Sequence, residues 1–204
     1  MCAKSAFNIR TRELRVDGPI LKLLERRFVA FDVETTGFSP QRDRIIELGA
    51  VIFEEGKPVG EFNTLVNPGM HISSGASAVN HITDDMVTNA PKDAKAVQLL
   101  QDFMGTALEG RTIVVAHNAR FDISFLEAML RRTGTSAQIE YVDTLSLARR
   151  RVWNVSNYKQ PTLARHFRIP TGREHRATDD ARTCGYILLK LLELCRNAVA
   201  DIPR

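Results

Sequence analysis

The clearest hydrophobic segment of the chain is Phe28–Glu34, where every position except Asp32 and Glu34 is apolar. A run without a polar face is typical of a strand buried on both sides of a sheet. Because side chains alternate along a strand, both acids point to the same face, about 6.6–6.8 Å apart. Two uncompensated carboxylates at the edge of a core cost several kcal/mol. We therefore expect a positive group against them.

The rest of the pattern predicts an antiparallel start followed by alternating strands and helices. Further strands are predicted at residues 45–54, 59–66, 112–116 and 139–142. Helical spacing of apolar residues predicts helices over 94–104, 121–130, 163–167 and from Ala181 to Cys195. The Ser/Gly-rich segment ISSGASAVNHIT is expected to be a loop. This order predicts an α/β fold, a ribonuclease H-like, five-stranded mixed sheet flanked by helices.

The distribution of apolar residues also predicts the domain organisation. Residues 1–27 contain few of them and are expected to be an N-terminal extension of unknown role. Residues 28–197 suit one domain, and residues 198–204 form a short tail. No secretory segment is recognisable, and no apolar run approaches the ~18 residues of a membrane span, so no membrane association is expected.

Composition narrows the class further. Hydrophobic residues make up 44% of the chain and charged residues 25%, as in ordinary soluble domains. The three cysteines, Cys2, Cys184 and Cys195, follow neither a disulfide nor a zinc-ligand spacing. Cys184 and Cys195 lie on the apolar face of the closing helix and are expected in the core. A reducing compartment fits this usage, so we expect a cytoplasmic protein.

The net charge of +4 is unevenly distributed. The segment Arg149–Arg176 contains eight Lys or Arg residues and one acid, Glu174. This segment indicates a surface for a polyanion such as nucleic acid, the alternative being a solvated basic surface. Trp153 and Tyr158 lie within it, where they would stack on bases or pack locally.

Two other segments place polar residues beside predicted element ends. Asp122 falls in the first turn of the helix that follows strand 112–116, after His117 and Asn118. His175 precedes Asp180 by five residues at the start of the closing helix. Each of these residues also has a purely structural interpretation. Asp122 would complement a helix N-terminus, Asp180 or its neighbour Asp179 would pair with an arginine, and His175 would lie on the surface.

Together, the three segments predict a cation site. Carboxylate oxygens are the ligands that Mg²⁺ prefers, and Mn²⁺ accepts the same donors. A pair of such ions about 3.5–4 Å apart holds a phosphodiester for in-line attack.

At this point the sequence resembles a known family. The segments FDVETTG, HNARFD and HRATDDA are similar to the three motifs of the DEDDh-class 3′-to-5′ exonucleases. The resemblance runs from about Phe28 to Leu194 and is greatest to the proofreading (epsilon) subunit of bacterial DNA polymerase III and its stand-alone homologues.

The resemblance implies specific roles. Two divalent cations, Mg²⁺ or Mn²⁺, would be held by the four acids Asp32, Glu34, Asp122 and Asp180. His175 matches the general base, a role that suits a side chain exchanging protons near neutral pH. The substrate-binding positions it implies are Thr35, Thr36, Gly37, His81, Ile82 and Asn118.

The resemblance also implies the substrate. The family releases nucleoside monophosphates from single-stranded 3′ ends, and the FDVETTGFSP segment favours DNA over RNA. The alternatives are an RNA-trimming exoribonuclease, a ribonuclease H-type endonuclease and a non-catalytic nucleic-acid-binding module. Only residues 196–204 follow the predicted closing helix, so the sequence does not favour a polymerase subunit as partner.

Overall fold

A six-stranded mixed sheet organises the computed structural model, which describes residues 7–172 and 175–200. Its strands are β1 Ile9–Glu13, β2 Arg27–Thr35, β3 Ile45–Glu54, β4 Lys57–Leu65, β5 Ile113–Ala116 and β6 Ala137–Asp143. The helices described are α1 Gly18–Arg26, α2 Ser74–Asn80, α3 Asp84–Val87, α4 Asp93–Leu108, α5 Arg120–Thr133, α6 Thr144–Arg151, α7 Gln160–Phe167 and α8 Ala177–Ala200. In the order β1-β6-β5-β2-β3-β4, the first four strands are parallel, and β3 is antiparallel to both β2 and β4.

Strand β2 lies inside the sheet and separates two hydrophobic clusters, as its apolar run predicts. Phe31 and the other odd positions pack with α4 and α5, whereas Phe28 and the even positions pack with α8. Because the alternation continues, Asp32 and Glu34 extend the face that α8 covers. The fold therefore brings the first two acids towards the start of the closing helix.

The expected five strands are corrected to six. Ile9–Glu13 pairs in parallel with β6, Ile9 lying opposite Ala137, so this part of the predicted extension is the edge of the sheet. Its pattern, IRTRE, leaves Arg10, Arg12 and Glu13 exposed. An edge strand needs only one half-buried face, and five residues with one large apolar side chain give little periodic signal.

Helix α1 also lies within the former extension and is packed against the domain. Asp17 caps it by accepting a hydrogen bond from the Ile20 N–H at 3.0 Å. Leu24 is 0% exposed within the cluster on the α8 side of the sheet. Residues 1–6, which complete the predicted extension, lie outside the described part of the chain.

Replacing Leu24 with alanine tests this packing. We expect the free energy of unfolding to fall by about 2–5 kcal/mol, because a fully buried leucine leaves a cavity. Its neighbour Leu23 is 54% exposed, so Leu23→Ala is the matched control and is expected to stay within about 0.5 kcal/mol. Urea unfolding measures both, and equal effects would show that α1 is not part of the core.

Three other helix boundaries differ from the prediction. The predicted loop around residues 72–83 contains α2, capped by Ser73, whose Oγ accepts from the Ala76 N–H at 3.2 Å. The basic segment begins within a second helix, α6. Helix α8 continues to Ala200, beyond the predicted start of the tail, and residues 201–204 lie outside the described range.

The closing helix otherwise agrees with the prediction. Its apolar face is buried, and Cys184 and Cys195 are both unpaired core residues, as expected. Cys2 lies outside the described residues. Over the ranges that the structure covers, no helix combines the length and apolar character that crossing a membrane requires.

Candidate active site

The four predicted acids come together at the end of β2. Asp32 and Glu34 lie on the strand itself, Asp122 in the first turn of α5, and Asp180 in the first turn of α8. Asp122 is buried, and its Oδ1 accepts a hydrogen bond from the Val33 N–H, between the two β2 acids, at 3.2 Å. All four line one cleft.

His175 lies at the mouth of this cleft. Its backbone has a φ of 59°, in the left-handed region, and its N–H donates to Asp180 Oδ2 at 2.9 Å. Glu34, His175 and Asp180 each offer a ligand atom within 4.8 Å of the others. The side chain is exposed, so it can exchange a proton with solvent.

The cleft is a cavity of about 800 Å³ whose lining carries both signs of charge. That volume falls in the range of about 300–1,000 Å³ found for small-molecule sites. The four acids line it together with the basic residues Arg149 and Lys159. The lining also includes residues of neither charge: Val33, His117, Asn118, Phe121, Leu145, Asn157, Tyr158, Gln160 and Pro161.

The protonation of the acids reflects burial and mutual repulsion. Burial raises the pKa of Asp32 well above its ordinary value, and the charges of Asp122, Asp180 and Glu34 raise it further. Burial, with Asp180 and Glu47, raises the pKa of Glu34 to about 8, although Arg176 acts in the opposite direction.

Asp122 completes the pattern, since burial raises its pKa although the Val33 N–H favours the charged form. The cluster is therefore unfavourable when fully ionised, unless a cation lies against it.

Divalent cations fit this donor set. The site offers four carboxylates within one cleft, and carboxylate oxygens are ligands that hard cations prefer. Their raised pKa values also show that the protein around them does not neutralise their charge.

We expect the metal-free protein to lose stability as the pH rises. The pKa of Glu34 is about 8 in the folded state against an ordinary value of 4.5, so between these values the folded protein binds more protons than the unfolded chain. Stability then falls with pH across this window. Urea unfolding in EDTA at pH 5, 7 and 9 measures the trend, and a free energy of unfolding that rises over this range would contradict it.

The structure gives Asp180 and its neighbour Asp179 different surroundings. The carboxylate of Asp179 accepts from Arg182 at 2.6 Å, and Arg182 also binds Glu61 on β4. Asp179 also packs against Gly172, where an added Cβ would lie only 2.5 Å from its carboxyl carbon. Asp179 thus joins two surface segments, whereas Asp180 lines the cleft.

Glu47 is a site residue that the sequence analysis missed. It lies opposite Glu34 on β3 and is fully buried. Its carboxylate accepts from Arg176 Nη2 at 2.7 Å, Asn63 Nδ2 at 2.9 Å and the Ala177 N–H at 3.2 Å. Glu47 therefore anchors the start of α8, beside His175. The available signal was a single acid within the apolar run IIELGAVIF.

His117 also has a structural role that was not predicted. Its Nε2 lies 2.8 Å from the Tyr158 carbonyl oxygen, and its Nδ1 lies 2.9 Å from Thr144 Oγ1. Burial lowers the pKa of His117, which favours the neutral ring. A neutral ring with its proton on Nε2 donates to the Tyr158 carbonyl and fixes the loop before α7 to the end of β5.

The predicted substrate-binding residues are distributed unevenly. Of the six, only Asn118 lines the cleft, and its N–H donates to Asp143 at 2.9 Å. Thr35, Thr36 and Gly37 form the turn that follows the acids. At Gly37 an added Cβ would lie 2.5 Å from the Asp43 carboxylate, so a larger residue there would have to displace that side chain.

The NHIT segment behaves differently from the expectation for Ile82. Ile82 is 0% exposed and packs with Ile46, Ile72 and Val87, so its side chain serves packing. His81 is exposed and ends α2 in a left-handed conformation, with φ 58°. The Asn80 side-chain amide donates to the Thr35 carbonyl at 3.2 Å and so connects this segment to the end of β2.

An exposed aromatic residue beside the cleft was also missed. Phe38 is 91% exposed, and its ring centre lies 6.5 Å from that of Phe121, which lines the cleft.

Comparison with known proteins assigns the chain to a family. The Exonuclease (RNase_T) family profile matches residues 29–188. The DNA polymerase III epsilon subunit of Treponema pallidum is 40% identical over 162 residues, which are 77% of this chain and 72% of that protein. The PolC-type DNA polymerase III of Caldanaerobacter subterraneus subsp. tengcongensis is 39% identical over 170 residues, 83% of this chain. The chain spans only 12% of that polymerase's length.

Solved structures of exonucleases are also similar to this chain. Exonuclease X in complex with 5′ overhanging duplex DNA is 27% identical, with a TM-score of 0.62 over 82% of this chain and 90% of that one. E. coli Exonuclease I in complex with a dT13 oligonucleotide has a TM-score of 0.71 over 86% of this chain and 42% of its own. Its 17% identity supports the fold alone. Since the family profile covers most of the chain and a relative matches along most of its own length, the chain belongs to the Exonuclease (RNase_T) family.

Proposed function

We propose that this protein is a metal-dependent 3′-to-5′ exonuclease that releases nucleoside monophosphates from single-stranded DNA ends. The observation that carries the proposal is the convergence of Asp32, Glu34, Asp122 and Asp180, from three elements, on one cleft with His175 at its mouth. A purely structural role gives no reason to bury acids together, where burial raises their pKa values and their mutual repulsion raises them further.

The four acids would hold two divalent cations, Mg²⁺ or Mn²⁺. When bound, such ions lower the pKa of water, orient the phosphodiester and stabilise both the attacking and the departing oxygen. The acids supply the charge that retains them, and the Val33 N–H orients the carboxylate of Asp122.

His175 acts as the general base in this proposal. It accepts the proton of the attacking water and passes it to solvent, to which its side chain is exposed. Its position depends on two neighbours. Its own N–H binds Asp180, and the adjacent Arg176 binds buried Glu47. The backbone of Thr35, Thr36 and Gly37 follows the acids directly and would contact the terminal sugar, and Asn118 would contact a phosphate.

Several observations favour DNA as the substrate. The relatives described above are named as DNA polymerase III proteins, and the Exonuclease X structure contains DNA. Phe38, exposed beside the cleft, would stack on an unpaired base of either DNA or RNA and does not distinguish the two. RNA trimming on the same chemistry is the alternative. Attachment to a polymerase subunit is not part of the proposal.

Digestion of 5′-labelled single-stranded DNA and RNA of the same sequence, with Mg²⁺, Mn²⁺ or EDTA, tests the proposal. We expect a metal-dependent ladder that shortens from the 3′ end of DNA. A ladder on RNA alone would identify an exoribonuclease, and cleavage of a circular single strand would identify an endonuclease. Hydrolysis of neither substrate, with binding retained, would leave a binding module.

Replacing His175 with alanine is expected to lower kcat by about 10²–10⁴-fold, the usual contribution of a general base. KM is expected to change little. The pH–rate profile should lose the part of its acidic limb that comes from His175, whereas the part that reflects protonation of the metal-binding acids should remain. If kcat barely changes while KM rises, His175 binds substrate and is not the base.

A further inference from the structure

Part of the lining of the cleft, here called the basic wall, comes from the basic segment. Arg149, at the end of α6, and Lys159, which precedes α7, both line the cavity and are both exposed. Elsewhere in the described ranges, ion pairs occupy many basic side chains, including Arg27, Arg132 and Arg182. Arg149 and Lys159 have no ion pair with any described acid. Their charge is therefore available to a ligand in the cleft.

This wall is held rigidly. His117 donates to the Tyr158 carbonyl at 2.8 Å, and the Tyr158 hydroxyl donates to the Val152 carbonyl at 3.1 Å. Asn157 Oδ1 accepts from the Lys159 N–H at 3.0 Å and from Thr162 Oγ1 at 2.8 Å. The backbone on both sides of Lys159 is thus fixed before any ligand binds, which lowers the entropy lost on binding.

Gln160, the first residue of α7, adds a polar group to the same wall. Its side-chain Oε1 is buried, with no hydrogen-bond partner among the described residues. Gln160 also lines the cavity. Buried polar atoms in native structures generally have a partner. Because this oxygen is a hydrogen-bond acceptor, it suits a donor group of a ligand, such as a base N–H, and is not part of the phosphate site proposed below.

The acids, called the acid wall, and the basic wall suit different parts of a substrate. The acid wall suits cations and, through them, the phosphate that is cleaved. A strand that ends there brings further phosphates, which the carboxylates repel and which need positive charge of their own. The side-chain charges of Arg149 and Lys159, which line the same cleft, meet that need.

We propose that Arg149 and Lys159 bind a phosphate upstream of the scissile one, so that the enzyme prefers polynucleotides to single-nucleotide esters, and that His117 is the positioning residue for this site. This inference rests on the proposed function. It adds the substrate length that the cleft recognises and the residues that recognise it.

Two substrates separate this site from the catalytic one. A 5′-labelled single-stranded oligodeoxynucleotide carries many phosphates, whereas the p-nitrophenyl ester of thymidine 5′-monophosphate carries only the scissile phosphodiester. We expect Arg149→Met and Lys159→Met each to lower kcat/KM about tenfold on the oligonucleotide, through KM, and no more than about twofold on the ester. Lys95→Met, on α4 and outside the cleft lining, is the matched control.

Salt dependence provides a second readout. Losing one phosphate contact should reduce the slope of log(kcat/KM) against log[salt] by about 0.7 on the oligonucleotide. Equal losses on both substrates would overturn the proposal, because the residues would then serve the scissile phosphate or the fold. Unchanged kinetics on both substrates would also overturn it.

His117 is tested by a pair of variants. His117→Leu should raise KM on the oligonucleotide and spare the ester, although both cations remain. His117→Gln, which keeps a donor near the position of Nε2, should restore part of the loss. If both variants lower kcat equally on both substrates, His117 is not a positioning residue for the upstream site.

Binding distinguishes failure of this inference from failure of the proposed function. If the wild-type protein hydrolyses neither substrate, the proposed function is wrong. Fluorescence anisotropy with the labelled oligonucleotide in EDTA still decides the upstream site. Weaker binding by Lys159→Met than by Lys95→Met supports it, and equal binding overturns it.

Discussion

Asp32→Asn is expected to lower hydrolysis of single-stranded DNA by more than about 10²-fold while leaving the fold intact. The variant keeps the shape of the side chain but loses one of the charges that hold the cations, and those cations supply several kcal/mol of transition-state stabilisation. The fold should survive, because Asp32 is surrounded by other acids and its ionised form is unfavourable there.

A thermal-unfolding measurement separates metal binding from catalysis. Mg²⁺ at about 100 times its Kd is expected to stabilise the wild-type protein by about 2.7 kcal/mol per site, and to stabilise Asp32→Asn clearly less. This readout requires no substrate.

Asp179→Asn is the informative control. Asp179 adjoins Asp180 in sequence, but its carboxylate pairs with Arg182 at the surface, so this variant should remain active and respond to Mg²⁺. Surface pairs of this kind contribute about 0–1 kcal/mol. An Asp32→Asn enzyme with more than a few per cent of wild-type activity, or an inactive Asp179→Asn enzyme, would show that the acids have been assigned wrongly.

Arg176→Met is expected to lower the free energy of unfolding by about 3 kcal/mol. Glu47 is fully buried, and removing its arginine leaves a charge inside the protein beside the acids of the site. Losing one partner of a buried pair costs about 3–5 kcal/mol. We expect the lower end, because Asn63 and the Ala177 N–H still donate to Glu47.

The same variant should also slow hydrolysis, because Arg176 follows His175 directly and anchors it to β3. Arg182→Met is the matched control. It removes an arginine from a network with Glu61 and Asp179, acids that stay partly exposed whereas Glu47 is fully buried, and is expected to cost no more than about 1 kcal/mol. Urea unfolding of both proteins gives the comparison. Similar losses in the two variants would show that the Glu47 pair has no special role.

Much of the fold followed from local patterns. The apolar run of β2 and the helical spacing along α8 each bury a continuous surface, so their periodicity is strong and both predictions were confirmed. The missed elements bury less. Strand β1 is an edge strand with one half-buried face, and α2 is a short Ser/Gly-rich helix that depends on the Ser73 cap and on the contact of Asn80 with Thr35.

For the site, the sequence by itself determined which acids and which histidine are present and their order along the chain. Those properties depend on spacing within single segments, such as Asp32 with Glu34 or His175 with Asp180. Only the tertiary structure decided the rest: that the four acids converge on one cleft, that Glu47 anchors Arg176, and that His117 fixes the wall carrying Lys159. These choices join residues far apart in sequence, and they depend on burial and hydrogen-bond geometry that exist only once the sheet and its helices have packed.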